Sequence, residues 1–383
     1  MRIAYLAPEI PALSATFVYN EIFELEKKGL DIETFSVHDN QTEFSDPGLQ
    51  ALKNNTFFLY KTSIFSVISN QIYVLLKGPS RYFKTLSFLL SDIKNTGFYT
   101  RTAIGMVYRF FYAGCLANQL INKKCEHIHV HFAHVPTDLA MYAATLAGID
   151  FSVTAHANDL FQRGYLLKQK VERAKFFITI SEYNRQFLIS QGADGHKVTV
   201  LHCGVDPAQF SLRQNFKPSS IPKIGVVARL VEKKGIDHLI KAVAYLKQQG
   251  NSFQLAIVGD GPLLNEHKAL ATELGLSSKE VDFLGAVDHH EIAPFINSLD
   301  VFVLPCQKDS SGDMDGIPVV LMEAMLSGTP VISTPVTGIP ELIIHQETGL
   351  LAPIGSKKEL ADCIEQCVDE TDLTQERVKK GVA

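Results

Sequence analysis

The chain has 383 residues, 46% hydrophobic and 20% charged, a balance that excludes wholesale disorder and suffices for two domains. Its formal net charge of −5, from 41 acidic and 36 basic residues, argues against a dedicated nucleic-acid binder. No apolar run reaches the roughly 20 residues of a spanning helix. Lys61, Asn70 and Gln71 interrupt 57–76, and Arg109 interrupts 104–121.

Arg2–Ala7 reads as a buried first strand. Its apolar core is too short for a secretion signal and is stopped by Pro8 and Glu9. The six cysteines are scattered without a Cys-x-x-Cys pair, as expected of reduced thiols in a cytoplasmic protein. An amphipathic helix follows and ends at Gly29, which suits a left-handed cap, and a second strand spans Ile32–Val37. From Lys53 to Lys124 the composition changes: ten basic residues face a single acid, Asp92. The segment carries +9, leaving −14 on the rest, and holds 14 of the 36 Phe and Tyr residues. It reads as several helices. These are expected either to rest on an anionic membrane face or to form a packed layer with solvated lysines.

Further strands are expected at His127–Phe132, Phe151–Thr154, Phe176–Ile180 and Val198–Leu201, with a helix around Thr137–Ala147. Periodicity disappears over 206–222, where Pro207, Pro218 and Pro222 cluster, so a linker is placed there between domains 1–205 and 223–383. The second half alternates clearly. Strands at Lys223–Ala228, Gln254–Val258, Val281–Leu284, Val301–Leu304 and Pro330–Ser333 are separated by helices near 235–248, 263–274, 289–297 and 318–326. Continuously apolar strands such as Val301–Leu304 suit a parallel sheet covered on both faces. The expected architecture is α/β, two Rossmann-like doubly wound domains facing a central cleft, with ligands at the carboxyl ends of the strands.

Those strand ends carry the candidate chemistry. Arg229 closes one strand and Lys234–Gly235 opens the next helix, so two cations and a helix N-terminus can converge on one phosphate; the alternative is a pair of solvated charges. Gly259–Asp260–Gly261 forms a tight turn that lets a ligand approach the backbone. In 313–325 (DMDGIPVVLMEAM), Gly316 and Pro318 lead into an apolar helix. Glu323 inside it must be paired or receive donors such as ribose hydroxyls. Asp313 and Asp315 form an Asp-x-Asp, but they precede a helix start rather than sitting between strands, so no metal is expected there. His156 follows a strand, where it is either a sugar contact or a structural histidine. His129, His131 and His134 suggest zinc, yet no nearby carboxylate or cysteine completes a ligand set in the sequence.

The ordered motifs LSATF (13–17), HVHFA, TAHANDLF, ISEYN, LHCGVD, ARLVEKKG, IVGDGP, FLG, DGIPVVLMEAM and TGIPE resemble those of retaining GT-B glycosyltransferases of family 4, of the capsular, exopolysaccharide and colanic-acid type. They run through nearly the whole chain. The resemblance implies that Arg229 and Lys234 hold the donor diphosphate, that Glu323 binds the ribose and that His156 contacts the donor sugar. It also implies that Gly316, Ile317 and Pro318 touch sugar and phosphates, while Gly259–Gly261, Leu284 and Gly285 lie beside the nucleotide. Asp315 stands where the family usually has Glu, Ala15 where relatives commonly have Glu, and Thr337 in a glycine pair. Members generally finish with a helix crossing back to the first domain. This chain stops at Glu376–Ala383, so looser docking is expected.

The implied reaction moves a hexose from a UDP- or GDP-linked sugar to a polysaccharide or lipid-linked oligosaccharide, with retention and without metal or other cofactor. The catalytic candidates are His156, Asp315, Arg229 and Lys234. Another GT-B enzyme such as a nucleotide-sugar epimerase, or a catalytically silent nucleotide-sugar-binding subunit, is the alternative. The expected location is cytoplasmic, peripheral on the inner face of the plasma membrane through 53–124.

Overall fold

The structure is a computed structural model that describes residues 1–12, 15–213 and 215–382. Leu13 and Ser14, the first two residues of the LSATF motif, lie outside the described residues. Packing divides the chain into two units. One comprises Met1–Ile180 and Asn184–Leu201, the other Ser181–Tyr183 and His202–Ala383.

The first unit holds strands β1 (Arg2–Ala7), β2 (Asp31–Ser36), β3 (Phe57–Phe58), β4 (His127–His131), β5 (Asp150–Ala155), β6 (Phe177–Thr179) and β7 (Val198–Val200). They form one parallel sheet in the order β3-β2-β1-β4-β5-β6-β7. The order reverses between β1 and β4, so the crossovers leave on opposite faces and the strand ends there stay uncovered. The expected first strand is present with its apolar core buried, and Gly29 follows the helix Thr16–Lys27 with φ +84°.

After β3 and a 3-10 turn at Leu59–Lys61, the rest of the basic aromatic segment folds as three helices, Ile64–Lys77, Pro79–Thr96 and Arg101–Asn122. Ser63 and Thr100 cap the first and third by accepting from Ser66 N and Ala103 N, and Pro79 starts the second. Asp92, the segment's one acid, is fully buried. The Arg173 guanidinium grips it with two hydrogen bonds of 2.7 Å, and Tyr142 donates at 2.8 Å.

The second unit holds β8 (Lys223–Val227), β9 (Gln254–Val258), β10 (Val281–Gly285), β11 (Val301–Leu304), β12 (Val331–Ser333) and β13 (Leu350–Leu351). They too are parallel, in the order β10-β9-β8-β11-β12-β13, with the reversal between β8 and β11. Every residue of β11 is buried, as its unbroken apolar run requires of a central strand. Over 206–222 the described residues carry only the 3-10 turn Pro207–Gln209. No helix among the described residues is long and apolar enough to cross a membrane.

After β8 the expected helix is present as Ile236–Gln248 with Gly235 as its N-cap, and Glu232–Lys234 before it form a 3-10 turn that the sequence reading did not give. Gly235 makes this possible with φ +64°, and a Cβ there would lie 2.0 Å from the Pro305 carbonyl oxygen after β11. Gly235→Ala is therefore expected to lower stability by at least about 2 kcal/mol, measured by urea denaturation.

Candidate functional site

At the β8/β11 reversal, Lys234 and Asp315 form an ion pair of 2.7 Å. Lys233, which sequence reasoning passed over, bridges Asp313 at 2.9 Å and Asp315 at 3.4 Å. From the 3-10 turn both ammonium groups reach the same carboxylate, Lys234 at 2.7 Å and Lys233 at 3.4 Å. Burial opposes the charge on Asp315, but Lys234 and Lys233 outweigh it and hold its carboxyl below the usual range. Burial likewise opposes the Lys234 ammonium, and Asp315 with its neighbours raises it instead. The Cys306 thiol donates to Asp315 at 3.4 Å, and burial pushes its own pKa well up.

The next loop is tied to the same place. Leu230 N donates to Asp260 O at 2.9 Å, and Gly259 N donates to Gly285 O at 2.7 Å. The Gly259–Gly261 turn thus lies between the Arg229 end of β8 and the Leu284–Gly285 end of β10. Gly259 has φ +131°, and a Cβ would meet Ala228 O at 1.9 Å. Arg229, Asp260 and Leu284 are exposed, while Gly316, Ile317 and Pro318 are buried. Glu323 is half-buried in the helix Val319–Leu326, between buried Met322 and Ala324. That helix and Ile236–Gln248 both begin without a side-chain cap, so backbone N–H groups at their starts are available to an anion.

Thr337 is a second residue the sequence undervalued. It adopts φ +48°, a strained conformation for a β-branched side chain. From there its hydroxyl contacts the Asp315 carbonyl and donates to the Gly316 carbonyl at 2.7 Å. The departure from glycine therefore fixes the backbone beside the acidic residue. Thr337→Val keeps the strain but loses both contacts and is expected to cost about 1–2 kcal/mol; Thr337→Gly loses them but relieves the strain and costs less. Chemical denaturation of the two variants separates these terms.

In the first unit, His156 is nearly buried after β5, with the Phe17 ring 4.4 Å away. Its Nε2 lies 3.2 Å from His131 Nδ1, and its backbone N–H donates to Asp159 at 3.1 Å. His131 Nε2 faces Glu21 at 3.5 Å, and Tyr5 donates to Glu21 at 2.8 Å. This corrects the view that no carboxylate stands near the histidine cluster. Glu21 also comes within 3.9 Å of His129 Nε2, from a helix far away in sequence. The three side chains have a spacing that could hold a metal ion. His129, however, already uses both nitrogens on Ser152 and Thr154, at 2.8 and 3.0 Å, which marks a hydrogen-bonded chain. Burial raises the Glu21 carboxyl, but His131 with its neighbours outweighs this and holds it at about 2.

Burial lowers His129 and His134 to about 3 and takes His156 well below its ordinary value. These imidazoles are neutral when folded and titrate near 6.5 when unfolded, so unfolding takes up protons below that pH. Stability is therefore expected to fall as pH drops from 6.5 towards 3, by about 1 kcal/mol per histidine per pH unit. Thermal melts at pH 7.5 and 5.5 read the loss, which shrinks in His156→Gln.

The family model described as Glycosyl transferases group 1 matches residues 208–382, and that of Glycosyltransferase Family 4 matches 94–209. The chain is 29% identical over 384 residues to AmsK, an amylovoran biosynthesis glycosyltransferase of Erwinia amylovora, covering 94% of this chain and 89% of AmsK. WcaL of Escherichia coli K12, named for colanic acid biosynthesis, is 36% identical over 226 residues, 57% of this chain and 53% of its own length. The structure of Anabaena HepE in complex with UDP and glucose aligns with TM-score 0.67 and 17% identity, covering 100% of this chain and 94% of that one. At that identity the likeness concerns the fold alone.

Proposed function

Since the chain belongs to the GT-B glycosyltransferases, with a family 4 and a group 1 domain, we propose that it transfers a hexose from a nucleotide-sugar to a glycan of a secreted polysaccharide. The names of AmsK and WcaL support that acceptor class, and the UDP complex of HepE supports a nucleotide-linked donor. The donor is UDP- or GDP-linked, and the acceptor is a polysaccharide or lipid-linked oligosaccharide. The transfer retains anomeric configuration and takes place on the cytoplasmic side.

The observation that carries the reading is the Lys233–Lys234–Asp315 cluster at the β8/β11 reversal, beside two helix starts without side-chain caps. As the glycosidic bond to the diphosphate breaks, negative charge grows on the leaving phosphate. Lys234 and the exposed Arg229 neutralise it, and the helix N-termini add fixed donors, which makes a divalent ion unnecessary. Glu323 receives the ribose hydroxyls, and Gly259, Asp260, Gly261, Leu284 and Gly285 flank the nucleotide. Gly316, Ile317 and Pro318 bring backbone to the sugar, with Asp315 and the neutral His156 as sugar contacts. A front-face path, in which the leaving oxygen accepts the acceptor's proton, needs no protein nucleophile and balances the proton.

Arg229→Ala and Lys234→Ala are each expected to lower transfer at least about a hundredfold with the fold retained. Nucleotide release with radiolabelled donor reads the rate, and circular dichroism reads the fold. Normal rates in both variants would overturn the diphosphate assignment. Conversion of donor without acceptor would instead indicate an epimerase, and absence of any nucleotide release a silent subunit.

A further inference from the structure

The helix Ile64–Lys77 is amphipathic in an unusual sense: its second apolar face is bare. Val67, Gln71 and Val74 are buried, and Gln71 Nε2 anchors the helix by donating to Phe110 O and Phe111 O at 2.9 Å each. Ile64, Ile68, Ile72 and Leu76, spaced four apart, form a separate stripe that is 52–78% exposed, and Phe65 beside it is 82% exposed. The two following helices add exposed Phe83, Leu90 and Ile104. Monomeric soluble proteins rarely leave so many large apolar side chains uncovered on consecutive elements.

The charge around these residues has one sign. Lys77, Lys84, Lys94 and Arg101 are exposed and, among the described residues, form no ion pair. The segment's only acid, Asp92, is buried on Arg173 and contributes nothing to the surface. Arg81 and Arg109 are spent on the Ala147 carbonyl and on Asp138, so they hold the fold while the lysines face solvent.

We propose that the three helices between Ile64 and Asn122 form a docking surface for an anionic lipid bilayer. The Ile64–Leu76 stripe inserts at the headgroup boundary, and Lys77, Lys84, Lys94 and Arg101 pair with lipid phosphates. A second copy of the chain is the poorer occupant, because a face-to-face pair would set these cations against each other. The proposal is independent of the donor reading, because none of the residues assigned to the donor lies between Ile64 and Asn122.

Co-sedimentation of the full chain with vesicles tests it. Binding to phosphatidylcholine mixed with phosphatidylglycerol is expected to exceed binding to phosphatidylcholine alone by at least about tenfold at low salt, and to weaken as salt is added. The triple variant Phe65→Ser, Ile68→Ser, Leu76→Ser and the triple variant Lys77→Glu, Lys84→Glu, Lys94→Glu are each expected to abolish that binding with an unchanged melting temperature. Equal binding to neutral and anionic vesicles, or full binding by either variant, would overturn the proposal. So would a dimer, seen by light scattering, that the apolar triple variant dissolves. Nucleotide release from donor in solution is expected to persist in both variants, so failure here and failure of the donor reading are distinguishable.

Discussion

Everything in the second unit turns on the contact between Lys234 and Asp315. Two charges held at 2.7 Å and largely removed from water are costly to separate, because either one left alone would be a buried unpaired ion. The pair therefore fixes the loop after β8 against the loop after β11, the two strand ends that the sheet reversal leaves uncovered. Asp315 also keeps Lys234 protonated despite its burial. A lysine held charged and immobile beside helix N-termini is prepared for an anionic ligand without reorganisation.

The same logic explains the smaller departures around it. Lys233 adds a second ammonium to Asp315, so the carboxylate is compensated twice and one cation can turn to a ligand without stranding it. Thr337 accepts an unfavourable backbone to hold the Asp315 and Gly316 carbonyls, which fixes where the shorter acidic side chain stands. Aspartate in place of glutamate is thus accompanied by a tighter backbone. In the first unit the ionised Glu21, His131 and His156 form a chain that orients one buried imidazole.

The long strands were legible because β8, β9 and β11 are apolar runs bounded by glycine, proline or charge, and central parallel strands leave no other signature. The two-residue strands β3 and β13 were not, since pairing at a sheet edge defines them and no periodicity does. Arg229, Lys234 and Asp315 stood out by type and by position at strand ends. Lys233 did not, because nothing in the sequence shows that two adjacent lysines both reach Asp315, far along the chain. Glu21 was hidden for a different reason: its partners His129 and His131 are over a hundred residues away, and only the β1/β4 pairing brings them close. Thr337 read as a lapse from a motif, and its left-handed backbone turned it into a constraint.

The most direct measurement is calorimetric titration of UDP and GDP into the full chain in the presence of EDTA. The account predicts saturable binding of one of the two without any divalent ion, and its loss in Lys234→Ala. Binding that appears only when magnesium is restored, or that survives unchanged in Lys234→Ala, would contradict it.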